Sequence, residues 1–266
     1  MINHSVTQAL QLNRGTLPIS YQHMSIALSF IIPAYNEKDY LGTCLSTLIW
    51  DIRSANLINS SEVIVVNNAS TDETEYIARQ FPEVQVLNEM RKGPAHARQK
   101  GLLVAQGKIV IFLDADNRIP PGWVSATLQE FEQHPNALCI SGPCIFYDLP
   151  FLWRKIAWVY ERVVSRTAHL LTGHFVAGAN FAVRKEAIDA VGGFDTSIAF
   201  YGEDVELAKR LAAIGEVRYT RNLVVETSAR RFNAEGVLKA TAVYALNFLA
   251  IWLFSRPIIQ SYRDIR

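Results

Sequence analysis

The chain has 266 residues, of which 50% are hydrophobic and 19% are charged, a composition typical of one large globular domain. Its formal net charge of +1 excludes the strongly basic surface that nucleic-acid-binding proteins normally need, so no nucleic-acid partner is expected. The cysteines, Cys44, Cys139 and Cys144, form no C-x-x-C pair. We therefore predict small buried side chains in a reducing compartment rather than a disulfide framework or a zinc site.

The first 24 residues are polar and lack the apolar stretch of a secretory signal peptide. The run "SIALSFIIP", directly after Met24, is the first one apolar enough to enter a core. We predict that residues 1–24 form a polar N-terminal extension and that the globular domain begins at residue 25.

Short apolar runs alternate with helical patterns through the first half of the chain. The second helix is expected to open in "STDETEYIARQF", with Ser70 or Thr71 as its N-cap and an acidic first turn. The alternation predicts a mostly parallel sheet with helices on both faces. The predicted strands are residues 28–33, 62–67, 84–88 and 108–114, and the predicted helices start near Asp39, after Asn68 and at Pro94.

The second half is less regular. Apolar residues at helical spacing predict an amphipathic helix within residues 149–176, and "YGEDVELAKRLAAIG" predicts a helix that ends at Gly215. Residues 237–254 are nearly all apolar, and as a helix they would span about 27 Å, slightly less than a bilayer core. Lys239 and Asn247 count against a full span, so an interfacial helix is favoured over a transmembrane helix or a packed core helix.

Polar motifs follow three of the predicted strands: "PAYNE", "NNAS" and "DAD". In parallel sheets, ligands bind beyond the carboxyl ends of the strands. Asp114 and Asp116 project to the same side, and a divalent cation bound to a diphosphate would relieve their repulsion. The alternative is a pair of turn-forming residues that ends a strand.

Two further motifs are ambiguous on their own. "GED", with Glu203 and Asp204, opens a helix, so its carboxylates could supply a general base or simply stabilise the helix N-terminus. Arg230 and Arg231 could hold phosphate oxygens or form a solvated surface pair.

Taken together and in order, the motifs resemble family 2 glycosyltransferases of the GT-A fold. The resemblance covers residues 28 to about 236 and rests on "FIIPAYNE", "VIVVNNASTDET", "GPAHARQKG", "FLDADN", "GANFAVRKEA" with "VGGFD" and "YGEDVELAKRL", and "TSARRF". It implies an α/β, Rossmann-like, mixed but mostly parallel sheet flanked by helices in residues 25–236. Residues 237–266 would form an apolar C-terminal helix and tail.

The resemblance also implies roles for individual residues. Asp204 would be the catalytic base, Asp116 with Asp114 would bind Mn²⁺ or Mg²⁺, and Arg231, together with Arg230, would stabilise the leaving diphosphate. Asn180 and Glu203 would lie on the acceptor side. The donor would be contacted by Pro33, Ala34, Tyr35, Glu37, Asn67, Asn68, Gly93, Arg98, Asp114, Arg230 and Arg231.

The sequence departs from the family at two places. Asn67 and Asn68 replace a common acidic pair, so the identity of the nucleotide base stays open. "ARRF" stands where processive members have Q-x-x-R-W, which indicates a non-processive transferase.

The expected activity is a metal-dependent, inverting transfer of a sugar from a nucleoside diphosphate to an acceptor hydroxyl. A sugar-nucleotide pyrophosphorylase would need a glycine-rich basic loop after the first strand, which "PAYNEKDYLG" lacks, and a non-catalytic sugar-nucleotide-binding protein remains an alternative. The aromatic residues Trp153, Trp158 and Tyr160 lie where the family binds acceptor. With residues 237–254 they predict a lipid-linked acceptor and a location at the cytoplasmic face of a membrane.

Overall fold

The computed structural model describes residues 26–198, 201–259 and 266, so the predicted N-terminal extension lies outside the described residues. The strands are β1 Leu28–Ala34, β2 Ser61–Asn67, β3 Val84–Asn88, β4 Ile109–Leu113, β5 Ala137–Ser141, β6 Cys144–Phe146, β7 Asn180–Arg184, β8 Glu216–Tyr219 and β9 Val225–Thr227. Seven of them form one sheet in the order β3-β2-β1-β4-β7-β5-β8, and β6 pairs with β9 in a second, two-stranded sheet.

Helices cover both faces of the large sheet. They are α1 Leu41–Ser54, α2 Thr74–Ala78, α3 Pro94–Leu102, α4 Trp123–Gln133, α5 Phe151–Thr172, α6 Lys185–Ala190, α7 Glu203–Ala212, α8 Arg230–Glu235 and α9 Val237–Phe254. Neighbouring strand residues face opposite sides: Phe30 joins the core under α1 and α4, whereas Ile31 joins the core under α3, α6 and α7. The predicted sheet with helices on both faces is confirmed.

Strand β7 is the feature that the sequence pattern does not reveal. It runs antiparallel to both neighbours, β4 and β5, whereas the other pairs in the large sheet are parallel. Its register pairs Asn180 with Leu113, the last residue of β4. The segment that leads into β7, including Gly178, therefore lies beside Asp114.

The predicted N-cap of α2 was wrong. The helix begins at Thr74, and Asp72 accepts a 3.0 Å hydrogen bond from the Thr74 amide through Oδ1. Ser70 and Thr71 instead contact Asn36: the Ser70 hydroxyl accepts from the Asn36 amide (3.0 Å), and the Thr71 amide donates to Asn36 Oδ1 (2.8 Å). These residues fasten the loop after β2 to the loop after β1.

Helix α9 packs on the domain by one side only. Its buried side chains are Ala240, Asn247, Ala250 and Ile251. Lys209 Nζ donates to the carbonyls of Ile251 (2.9 Å) and Trp252 (2.8 Å), and this positive charge stabilises the helix C-terminus. Within the described residues, α9 is the one helix long and apolar enough to cross a membrane by length and composition alone.

Candidate donor and catalytic site

The carboxylates that follow β4 lie in a largely buried cluster. Asp116 accepts hydrogen bonds from the hydroxyl of Thr227 (3.1 Å) at Oδ1 and pairs with Arg230 Nη2 (3.1 Å) at Oδ2. Burial raises the pKa of Asp116 to about 7, opposed by the charge of Arg230 and reinforced by the charges of Glu37 and Asp114. A cation brought to this group would displace its proton.

Glu37 shares the guanidinium of Arg230 with Asp116. Its side chain is only 1% exposed, its Oε1 pairs with Arg230 and with Arg266 Nη1 (3.2 Å), and its backbone amide donates to Thr74 Oγ1 (2.7 Å). Its Oε2 has no hydrogen-bond partner among the described residues. A buried carboxylate oxygen without a partner is costly, which marks this position for a ligand.

Arg98 connects this cluster to the start of α7. Its guanidinium, almost completely buried, donates to Asp114 Oδ1 (2.9 Å), Glu203 Oε1 (2.5 Å) and the carbonyl of Gly178 (3.0 Å). The two carboxylates raise the pKa of Arg98 even though burial opposes the charge. Arg98 therefore fixes the distance between the end of β4 and the first turn of α7.

Asp204 occupies that first turn, next to Glu203. Burial and the neighbouring charge of Glu203 raise the pKa of Asp204 to about 7, while Arg98 and the Val205 amide, which donates to Oδ1 (2.9 Å), oppose the rise. A Cβ atom at position 178 would clash with Asp204 Oδ2, so glycine makes room for this carboxylate. A carboxylate with this pKa accepts protons efficiently near neutral pH.

The family model described as "Glycosyl transferase family 2" matches residues 29–192, more than half of the chain. The chain belongs to this family. Its sequence is 39% identical over 98 residues to the uncharacterised glycosyltransferase YibD of Escherichia coli, covering 35% of this chain and 27% of YibD. It is 26% identical over 227 residues to dolichol-phosphate mannosyltransferase of Saccharomyces cerevisiae, covering 78% of this chain and 82% of that enzyme.

The fold is shared with a solved structure of a mannosyltransferase from Pyrobaculum calidifontis, which was determined in complex with GDP-Man and Mn²⁺. The TM-score is 0.68 at 21% identity, and the match covers 94% of this chain and 69% of that chain. The family and the GT-A fold that the motifs predicted are confirmed. The chain spans only about a quarter of the length of YibD, so the likeness to YibD identifies the family and no particular substrate.

Within this glycosyltransferase, the two arginines of the "ARRF" motif point to different neighbours. Arg230 pairs with Glu37 and Asp116. Arg231 instead donates to the hydroxyl of Tyr201 (3.0 Å) and pairs with Glu235 (2.8 Å). The prediction favoured Arg231 as the residue for the leaving diphosphate, whereas the structure places Arg230 beside the metal motif.

The amides that replace the family's acidic pair hold neighbouring loops. Asn68 uses its entire amide: Nδ2 donates to the carbonyls of Glu89 (3.0 Å) and Arg91 (2.7 Å), and Oδ1 accepts from the Gly93 amide (2.9 Å). Asn67 donates to Asn88 Oδ1 (2.8 Å) and Glu75 Oε2 (3.2 Å), and accepts from the Ser70 amide (3.2 Å). Both side chains shape the rim of the predicted nucleotide pocket, and direct contact with the base stays a prediction.

The remaining predicted donor residues lie around the end of β1. Pro33 and Ala34 are its last two residues, and Tyr35 follows directly. The Tyr35 hydroxyl accepts from Lys92 Nζ (3.0 Å), which also lies 4.7 Å from the ring centroid. Lys92 was missed by the motif comparison because it precedes the "GPAHARQKG" segment.

The two residues predicted on the acceptor side are both buried. Asn180 is completely buried, and its Nδ2 donates to the carbonyls of Leu223 (2.6 Å) and Pro143 (3.3 Å). Glu203 is 5% exposed and faces Arg98. Asn180 joins β7 to two neighbouring loops, and Glu203 holds Arg98. A place for either residue on the acceptor side stays a prediction.

The donor set fits a divalent metal that reaches the site with its diphosphate. No group of three His, Cys, Asp or Glu side chains that could enclose a metal occurs in the described part of the chain. Mg²⁺ and Mn²⁺ in such sites use one or two carboxylates and complete their coordination with phosphate oxygens and water. Asp116 and Asp114 provide one or two carboxylate donors of this kind.

Proposed function

We propose that this protein transfers a sugar from a nucleoside diphosphate to an acceptor hydroxyl with inversion, by a single displacement that depends on Mn²⁺ or Mg²⁺. The observation that carries the proposal is the raised pKa of Asp204, about 7, at the start of α7. The neighbouring Glu203 is joined through Arg98 to Asp114, so this carboxyl is held close to the end of β4. A base at this position and the guanidinium of Arg230 beside Asp116 supply the two charged groups that the proposed reaction requires.

In the proposed reaction, Asp204 accepts the proton of the acceptor hydroxyl as its oxygen bonds to the anomeric carbon. The bond from that carbon to the diphosphate breaks, and its electron pair leaves on the diphosphate oxygen. Arg230 turns from Glu37 and Asp116 toward this growing negative charge. The reaction needs one attacking oxygen and no enzyme nucleophile, so the anomeric centre is inverted.

The metal would be held by Asp116 and Asp114, and its positive charge would replace that of Arg230 beside Asp116, so that the guanidinium could contact the phosphates. When bound, the cation supplies electrostatic stabilisation of the leaving diphosphate. Support comes from the Pyrobaculum mannosyltransferase, which shares the fold and whose structure was solved in complex with GDP-Man and Mn²⁺.

The proposed acceptor is lipid-linked, and the proposed location is the cytoplasmic face of a membrane. The yeast relative, matched over most of its length, is named a dolichol-phosphate mannosyltransferase. Helix α9 adds support because its apolar outer side is exposed on the domain. The buried, unpaired Cys44 and Cys139 fit a reducing compartment.

The decisive variant is Asp204→Asn, which removes the base and keeps the shape of the side chain. We expect donor binding close to wild type and a loss of transfer of roughly a hundredfold to ten-thousandfold. Binding is measured by calorimetry with nucleotide sugars and Mn²⁺, and transfer by release of nucleoside diphosphate in the presence of a total membrane lipid extract.

Asp189→Asn, at an exposed carboxylate on α6, is the matched control and should leave both quantities unchanged. Transfer by Asp204→Asn at the wild-type rate would remove Asp204 as the base. Tight donor binding by a wild-type protein without turnover would instead favour a non-catalytic sugar-nucleotide-binding protein.

A further inference from the structure

Helix α5, Phe151–Thr172, presents an apolar face to the outside of the protein. The side that packs on the domain carries Ser165, which is buried, and the partly buried Ala157 and Ala168. The opposite side carries an apolar stripe in which each side chain is between 49% and 72% exposed. The stripe consists of Leu152, Ile156, Val159, Val163 and Leu170, which fall within about 60° of one another at 100° per residue.

This arrangement is the reverse of an ordinary surface helix, in which the apolar stripe faces the core and the outer side is polar. Scattered exposed apolar side chains are normal on a protein surface. A stripe of exposed apolar side chains that runs from Leu152 to Leu170 is not, and it indicates that the outer side of α5 contacts something other than water.

Basic and aromatic residues border the stripe. Lys155 and Arg166 are exposed along one margin, and Trp153 is exposed beyond the other margin. The sequence 151–172 contains four Lys or Arg residues and a single acidic residue, Glu161. An apolar stripe, a basic margin and tryptophan are the combination found in helices that lie in the interface of an anionic bilayer.

Residues next to the two ends of α5 contact the loop before Arg230 and helix α9. Just before α5, Asp148 accepts from the Ser228 hydroxyl (2.5 Å) and the Ala229 amide (2.7 Å), the two residues that precede Arg230. Just after α5, the ring of Phe175 lies 5.8 Å from that of Phe248 in α9. Leu238, Leu246, Leu249 and Leu253 of α9 are themselves between 47% and 88% exposed.

We propose that the outer face of α5 binds an anionic lipid bilayer, with its apolar stripe at the level of the acyl chain boundary and its basic margin on the headgroups. The inference deepens the proposed membrane location of the acceptor and rests on it. A second copy of the chain fits less well, because a symmetric pairing of this face would bring Lys155 and Arg166 toward like charges. Through Asp148, the bilayer contact would set the position of the loop that precedes Arg230.

The test is flotation of the full-length protein with vesicles of phosphatidylcholine, with and without phosphatidylglycerol. The variant Ile156→Glu/Val163→Glu places two charges in the stripe at exposed positions, so folding is preserved. We expect the wild type to float with anionic vesicles and the double variant to lose about tenfold or more of its bound fraction. Leu103→Glu is the matched control, because Leu103 is an exposed leucine that directly follows α3 and is not part of the stripe. This variant should float like the wild type.

Charge and oligomeric state complete the test. Lys155→Glu/Arg166→Glu should remove the preference for anionic over neutral vesicles. Unchanged flotation of the Ile156→Glu/Val163→Glu variant would overturn the proposal. The proposal would also be overturned if the wild type did not float and light scattering showed that the wild type is a dimer and the variant a monomer. Calorimetric binding of soluble nucleotide sugars is measured in parallel, so that a failure of the proposed function is distinguished from a failure of bilayer binding.

Discussion

Burial raises the pKa values of Asp116 and Asp204 to about 7, but their neighbours assign them different tasks. Asp116 lies beside the positive charge of Arg230, which favours the ionised form of its carboxyl. In that form Asp116 can bind a cation. Asp204 adjoins the negative charge of Glu203, which strengthens its affinity for a proton. These surroundings support the proposed roles of Asp116 as a metal ligand and of Asp204 as the general base.

The raised pKa of Asp204 predicts the pH dependence of transfer. The base must be ionised to accept a proton, so at saturating donor and Mn²⁺ the rate should rise by about tenfold per pH unit below pH 7 and level off above it. Glu203→Gln removes the charge that raises the pKa and should move this rise to lower pH. The measurement is single-turnover transfer between pH 5.5 and 8.5, and a rate independent of pH would show that Asp204 is not the base.

At the level of elements, α8 illustrates how adjacent residues are given separate functions. The helix directs Arg230 toward Asp116 and directs Arg231 toward Glu235 one turn further on. The loop before it is held by Asp148, so the direction of Arg230 is fixed from outside the helix. The two arginines are therefore not interchangeable.

Arg230→Gln should reduce transfer by about a hundredfold or more, because the positive charge proposed to stabilise the leaving diphosphate is lost. Arg231→Gln, a matched change one residue away, should lower the midpoint of thermal unfolding while keeping most of the activity of the folded protein. Transfer rates per folded molecule and unfolding curves are measured for both. If Arg231→Gln is the inactive variant and Arg230→Gln is active, the assignment from the structure is reversed.

Some of these elements could be predicted from the sequence and others could not. The strands β1, β2, β3 and β4 were predicted because each is a short, mostly apolar run that polar residues follow closely in the sequence. The position of β7 beside β4 was not predicted, because the pairing of Leu113 with Asn180 joins residues that are distant in the sequence. The roles of Thr227 and Gly178 escaped for the same reason, since they meet Asp116 and Asp204 only after folding.

For the molecule as a whole, the placement of α9 supports the proposed interfacial orientation over a spanning one. Its Asn247 is buried and exchanges hydrogen bonds with the backbone of Ile259 (2.7 and 2.9 Å), and Lys209 binds its C-terminal carbonyls. A spanning orientation would have to break these contacts and bury Lys239 or its neighbours in hydrocarbon. An orientation in the plane of the interface keeps them and immerses only the exposed leucines.

We therefore predict that the untagged protein sediments with membranes and is released by alkaline carbonate, as an interfacial protein is, without detergent. Leu246→Glu/Leu249→Glu should shift it to the soluble fraction, because both side chains lie on the exposed side of α9 and their loss leaves its packing on the domain intact. Met90→Glu, an exposed apolar residue in a loop after β3, is the control and should remain with the membranes. Retention after carbonate and release only by detergent would establish a spanning helix, whereas a wild-type protein found entirely in the soluble fraction would refute membrane attachment by α9.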